Sequence, residues 1–275
     1  GVHKLLSFKD YRESGFDADF YVSNHFLSTD ADIKNFPEKH KAIDIIHTRG
    51  CLPDNHFRKV VAMSDVWRTV LLSAGIDRDR VEVIPSCINW QAYTERPDYG
   101  SKTFGRITRW STGKIPPWWN EMLTGIFQQA PESRCLMWTD FLDKKKRPII
   151  EHDQMEYDTS VFIFENKNRY LKNLSFYVHA NGFFIEISPH AILEAMATGL
   201  PVVYLWEESL AEMAGDAGIP CANREDLEQT ILDMLTWPAE KLAEAGEKSL
   251  ARVREYGTEQ MLTRYDAMLQ GCLDE

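Results

Sequence analysis

The stretch Phe183-Phe184-Ile185-Glu186-Ile187-Ser188-Pro189-His190-Ala191-Ile192-Leu193-Glu194-Ala195-Met196-Ala197-Thr198-Gly199-Leu200-Pro201-Val202-Val203 decides how this chain is read. Ser188 has the side chain of a good helix N-cap, and Pro189 suits the first helical position, where its missing N–H would have been unpaired anyway. A helix is therefore predicted over 191–198, closed by Gly199, because glycine takes the left-handed conformation at a helix end without a Cβ clash. Residues 201–205 follow as an unbroken apolar run, the mark of a strand buried on both faces of a parallel sheet. The free N–H groups and positive end of such a helix face the carboxyl edge of the sheet, where α/β folds hold phosphorylated ligands. Glu186 precedes this helix and Glu194 lies within it. Both carboxylates are thus placed to accept hydrogen bonds from the hydroxyls of one ligand while the helix start holds its phosphate.

Outward from this segment the chain alternates short apolar strands with amphipathic helices. Strands are predicted over 19–23, ending at Asn24-His25, over 42–46, ending at His47, and over 60–63 and 81–85. Ser64-Asp65 offers an N-cap to a helix that runs through Leu72 and stops at Gly75. Residues 92–103, with Pro97 and Gly100 in a polar run, read as a linker. A second series follows: strands over 103–107, 135–138, 161–164 and 176–178, and helices over 119–129 and 169–174. From Arg224 onward the chain reads as helical, with apolar positions at Leu227, Ile231 and Leu235, then Val253, Met261, Tyr265 and Leu269. Such alternation predicts an α/β fold of tandem doubly wound parallel sheets, the smaller domain first.

Composition narrows the function. The 275 residues, 44% hydrophobic and 27% charged, allow one large domain or two medium ones with an ample core. No apolar stretch approaches the ~20 residues that cross a bilayer, and the first residues lack a signal-peptide pattern. A net charge of −11 has the wrong sign for holding a nucleic-acid backbone. Cys51, Cys87, Cys135, Cys221 and Cys272 are scattered, with no Cys-x-x-Cys pair, so a reducing cytoplasm is the expected compartment. The basic run 144–147 reads as a solvated loop, and Trp110, Trp118 and Trp119 read as core or interface packing rather than sugar stacking.

Glu186 and Glu194, separated by seven residues and followed by Ala-Met-Ala-Thr-Gly-Leu-Pro-Val-Val, resemble the signature of the retaining nucleotide-sugar glycosyltransferases of GT-B fold, the large family numbered four. Phe104-Gly105-Arg106-Ile107-Thr108-Arg109 with Lys114 is similar to the strand-end Gly-Arg and downstream Lys that neutralise the donor diphosphate in that family. The likeness covers most of residues 17–235.

The resemblance implies two Rossmann-like domains, the first truncated or minimal: 1–98 on the acceptor side, 99–254 binding the nucleotide sugar, and 255–275 as a helix crossing back to the first domain. It implies that Glu186 touches the donor sugar and that Lys114 with Arg106 or Arg109 meets the diphosphate, beside Ser188 and His190. Glu194 would hold the ribose, with Phe164 and Glu165 at the base, and His25 and His47 would complete the catalytic site from the other domain. Fixed cations at the leaving diphosphate make a metal unnecessary, and no cofactor is expected. The implied reaction moves a hexose-type sugar to a glycan, a lipid-linked sugar or a small molecule.

Departures from the family pattern set the rival readings. Ser188 and Pro189 stand where the family favours a glycine-containing loop whose N–H groups reach the sugar, and His190 stands where an apolar residue is usual. The part before the linker is short for an acceptor domain, and the chain begins at Gly1. These features admit a catalytically silent sugar-nucleotide-binding subunit assembled with a partner chain or as a homo-oligomer. An epimerase or phosphorylase on the same fold is the rival enzyme.

Overall fold

The computed structural model describes residues 21–24, 42–46, 57–109, 113–139, 152–160, 164–183 and 185–274. His25, His47, Trp110 and the basic run 144–147 lie outside the described residues.

Strands β1 (Tyr21–Asn24), β2 (Ala42–Ile46), β3 (Lys59–Ala62) and β4 (Val81–Val83) form a first sheet in that order, every neighbouring pair parallel. Helix α1 (Asp65–Ser73) connects β3 to β4. Its N-cap Ser64 accepts from the Trp67 N–H at 3.1 Å, and Trp67 and Leu71, one turn apart, are its buried residues.

The second sheet comprises β5 (Thr103–Ile107), β6 (Arg134–Trp138), β7 (Met155–Asp158), β8 (Phe176–His179), β9 (Val202–Leu205) and β10 (Gly218–Cys221). All its pairs are parallel, in the order β10-β9-β8-β5-β6-β7. Counted from β5 and read from β7, this is the Rossmann order 3-2-1-4-5-6, whose strand order reverses between β5 and β8. Side chains alternate between two cores, as the strand period of 2 requires. Phe104, Phe176 and Val178 meet α2 (Trp119–Gln129), while Ile107, Tyr177 and Val202 meet α3 (Phe164–Leu171), α4 (His190–Thr198) and α5 (Glu208–Ala214). Helix α6 (Arg224–Thr236) joins the first core through Leu227 and Ile231, and α7 (Ala239–Val253) sends Val253 into the second. The last helix, α8 (Thr258–Asp274), lays Met261, Tyr265, Met268 and Leu269 against Ile43, Val61 and Ile84 of the first sheet. Among the described residues no helix is long and apolar enough to cross a membrane.

Gly199 and Gly105 are fixed by geometry. Gly199 closes α4 at φ 93°, in the left-handed region. At Gly105 in β5 a Cβ would lie 2.1 Å from the Leu136 carbonyl oxygen and 2.7 Å from Tyr170 Oη. Gly105→Ala is therefore expected to destabilise the protein by about 1–3 kcal/mol, the range for overpacking, read as a lower denaturant midpoint. An unchanged midpoint would show that β6 yields without cost.

The structure corrects several sequence expectations. Phe164 opens helix α3 instead of ending a strand, and that helix stops at Leu171. Helix α4 starts at His190 with Pro189 at the cap position, and no side chain caps it, so Ser188 is not the N-cap. The helical run after Arg224 is broken by Pro238, which stands at the N-cap of α7, and again at Gly257. Strands β7 and β10 and helix α5 are elements the sequence does not predict: β7 is half polar, and β10 carries Pro220, tolerated there because β10 is an edge.

Candidate active site

The crevice at the carboxyl ends of β5 and β8 gathers most of the charged groups that the sequence singled out. Arg106 itself is fully buried. Its Nη1 donates to the Ala180 carbonyl, its Nη2 to the Lys114 carbonyl at 3.1 Å, and its guanidinium lies 5.2 Å from the Trp119 ring. It thus ties the end of β8 to the loop carrying Lys114 and offers no surface to a ligand. Arg109, two residues beyond β5, is exposed.

Lys114 Nζ pairs with Glu186 Oε1, the two side chains being only 22% and 12% exposed. Burial pulls the Lys114 ammonium down to about 8, Arg106 and Arg109 add to the fall, and Glu207 opposes it. Behind Glu186 stands a residue the sequence reading missed. His179 ends β8 at 2% exposure, with Nε2 3.1 Å from Glu186 Oε2 and 3.2 Å from Asn181 Nδ2. Burial, then Arg106 and Lys114, push its pKa well below the ordinary histidine value, so it is neutral at pH 7. The signal was its place: the expected strand stopped at Val178, one residue short of this strand-end imidazole.

Glu194 sits in the middle of α4 at 7% exposure, and Lys167 of α3 pairs with it. Burial raises its pKa while the Lys167 hydrogen bond and charge oppose the rise. Phe164, at the start of α3, packs edge-on against Tyr93 at 5.0 Å. Burial, then the nearby Glu194 charge, push the Tyr93 phenol up, which sets Tyr93, Phe164, Lys167 and Glu194 in one neighbourhood. Glu165 is exposed on the first turn of α3 and His190 is exposed at the start of α4. Ser188 Oγ is buried without a hydrogen-bond partner.

No protein-family model and no curated protein matches the chain. Solved structures do. TarM of S. aureus superposes with a TM-score of 0.71 at 16% identity, over 89% of this chain and 53% of that one. The fold is that of the GT-B glycosyltransferases. The chain spans about half the length of TarM. HepE from Anabaena, solved in complex with UDP-glucose, gives a TM-score of 0.66 at 16% identity over 84% of this chain and 72% of that one. A glycosyltransferase from Rickettsia africae gives 0.62 at 15% identity over 84% and 70%.

In this GT-B arrangement a cavity of about 350 Å³ separates the sheets. Ser64 and Trp67 wall it from the first, while Asn181, Glu186, Trp206 and Glu207 wall it from the loops after β8 and β9 of the second. A carboxylate joins the walls nearby: Glu212 of α5 accepts from the N–H groups of Asp65 at 2.7 Å and Val66 at 3.0 Å, capping α1 where its dipole is positive. Arg252 holds the same turn of α5 through the Glu212 and Met213 carbonyls at 2.6 and 3.0 Å. Glu212 was not singled out in the sequence, because its partners come from a distant segment.

Proposed function

We propose that the chain is a retaining glycosyltransferase that moves a hexose-type sugar from a nucleoside diphosphate to an acceptor hydroxyl without a metal ion. The observation that carries this reading is the Lys114–Glu186 pair at the β5/β8 crevice: a cation where a diphosphate would end and a carboxylate where its sugar would begin. HepE, of the same fold, was solved with UDP-glucose. On this reading the donor parts the pair, its phosphate taking Lys114 and its sugar hydroxyls taking Glu186. Arg109 and Lys114 then stabilise the negative charge that grows on the leaving oxygen, and Arg106 positions Lys114 through its backbone. Glu194 accepts from the ribose, Phe164 and Glu165 face the base, Ser188 and His190 lie at the phosphate end of α4, and His25 and His47 act from the first domain. No side chain is a covalent nucleophile; orientation and charge stabilisation carry an oxocarbenium-like transition state.

A thermal-shift screen with UDP-, GDP-, ADP- and dTDP-sugars tests it, because a ligand at a hundred times its dissociation constant adds ~2.7 kcal/mol of stability. NMR of the product should show the donor's anomeric configuration, and EDTA should leave turnover intact. An inverted product, or loss with EDTA restored by magnesium, would overturn the mechanism.

A pH dependence follows from Lys114. Its charged form is the one a diphosphate needs, and its pKa is depressed to about 8, so charge is present below that pH and lost above it. UDP affinity should be level from about pH 7, where the terminal phosphate is already ionised, and then fall by up to tenfold per unit above about 8. Lys114→Arg should remove the break, since the guanidinium stays charged throughout. An identical alkaline fall in that variant would assign the titration to another group.

One observation favours the silent-subunit reading: at the start of α4 Pro189 brings no N–H and no side chain caps the helix, which weakens the anion site there. Donor hydrolysis by the purified chain alone separates the two.

A further inference from the structure

A carboxylate of the second domain grips the first helix of the other. The leading N–H groups of α1 have no acceptor within the helix, as at any helix start. Asp65 does not supply one, since its own carboxylate pairs with Arg68 at 2.7 Å. Ser64 Oγ takes the Trp67 N–H, and Glu212, 147 residues from Asp65, takes the N–H groups of Asp65 through Oε1 and of Val66 through Oε2. Both carboxylate oxygens are engaged, and the positive end of the α1 dipole faces them.

This grip sits at the rim of the cavity. Ser64 and Val66, on either side of Asp65, line the cavity from the first domain, and Ser209 and Leu210, within one turn of Glu212, line it from the second. Asp65 is exposed and Glu212 half-buried, so water can replace each partner when the grip parts. A hydrogen bond to a charged group is worth about tenfold or more in an equilibrium, enough to set the balance between two domain arrangements.

The grip is braced against the place where the chain crosses between the sheets. Arg252 holds the Glu212 and Met213 carbonyls, and its Nη2 also lies 3.2 Å from Tyr256 Oη. Tyr256 lies on the segment that returns to the first sheet, and its carbonyl accepts from the Ile88 N–H at 2.8 Å. Ile88, on the outgoing segment after β4, also bridges Gly257 in parallel. The outgoing and returning backbones thus run side by side as a pivot, and Arg252 ties that pivot to the turn that carries Glu212.

We propose that Glu212, positioned by Arg252, is an interdomain latch: it holds the cleft closed, and its release from the start of α1 opens the cavity. The proposal does not depend on the transferase reading, because it concerns the domains themselves and its test uses no ligand.

Spin labels are placed at Ser73 of α1 and Gln229 of α6, both exposed, on a non-natural side chain that leaves the cysteines alone, and pulsed EPR gives the distances between domains in the full chain. The ratio of the longer-distance to the shorter-distance population should rise about tenfold or more in Glu212→Ala. It should rise less in Glu212→Gln, whose carboxamide keeps one acceptor oxygen. Amide exchange gives a second measurement. The Asp65 and Val66 N–H groups should be protected in the native chain, and Arg252→Ala, which leaves Glu212 in the sequence, should speed their exchange by about threefold or more while lengthening the distances. The same distance distribution in Glu212→Ala and the native chain would overturn the latch and leave Glu212 as a cap on α1. Should Glu212→Ala fail to fold, an unchanged distribution in the near-isosteric Glu212→Gln would overturn it equally. Unchanged exchange in Arg252→Ala would overturn the positioning role of Arg252.

Discussion

Lys114→Ala is expected to depress turnover of the donor by about a hundredfold to a thousandfold, the loss seen when one preorganised donor of charge stabilisation is removed from an active site. Its effect on donor KM should be smaller, because the charge it meets grows as the bond to the leaving oxygen breaks. The substitution also strands Glu186, which is 12% exposed and has only a neutral imidazole at 3.1 Å on its other side. Some loss of stability therefore accompanies Lys114→Ala, and a drop in activity alone would not identify the cause. The double variant Lys114→Ala with Glu186→Gln separates them. Removing both charges should restore the melting temperature toward that of the native chain, since an uncompensated partly buried charge is what destabilises the single variant. Turnover should stay low. A double variant that recovers activity together with stability would assign Lys114 to the folding of the loop after β5 and remove it from the chemistry.

How much of this site was legible in the sequence follows from the range of the forces involved. Strand β5, helix α2, the end of α4 at Gly199 and strand β9 were readable because local signals agree there: apolar runs, amphipathic spacing and a glycine terminator. The same agreement made the Glu186 and Glu194 placement legible. Arg106 was not assignable, since Arg106 in β5 and Arg109 just beyond it read alike as strand-end cations and only the closeness of Ala180, Lys114 and Trp119 buries one and leaves the other exposed. Glu212 was invisible for the same reason, its partners lying far away in sequence, whereas His179 was missed because the expected strand stopped one residue short of it. Strand β7 and edge strand β10 fail the apolar test because edges bury less, so polar residues and Pro220 are tolerated. Phe164 shows the opposite error: expected at the end of a strand, it opens a helix in which Asn168, Tyr170 and Leu171 are buried, while 161–163 lie outside the described residues.

Glu194→Gln is expected to weaken nucleoside-diphosphate binding by about 1–3 kcal/mol, or roughly fivefold to 150-fold, as for a hydrogen bond to a charged acceptor. The Lys167 ion pair complicates that expectation, because the substitution also releases an ammonium at the edge of the same pocket. Ligand chemistry resolves it. With UDP the variant should show the full loss, whereas with 2′,3′-dideoxy-UDP, which has no ribose hydroxyls to donate, native and variant chains should bind alike. That comparison is a double-mutant cycle with one partner on the ligand. The pH dependence gives an independent reading. Burial raises the Glu194 pKa, so the carboxylate that a ribose needs is lost on acidification before an ordinary glutamate near 4.3 would protonate. Native affinity for UDP should therefore decline in that acid range more than its affinity for the dideoxy analogue, and the Gln variant should show no such difference. An equal penalty on both nucleotides would mean that Glu194 acts only by holding Lys167 and α3 in place, and that the ribose finds its acceptor elsewhere.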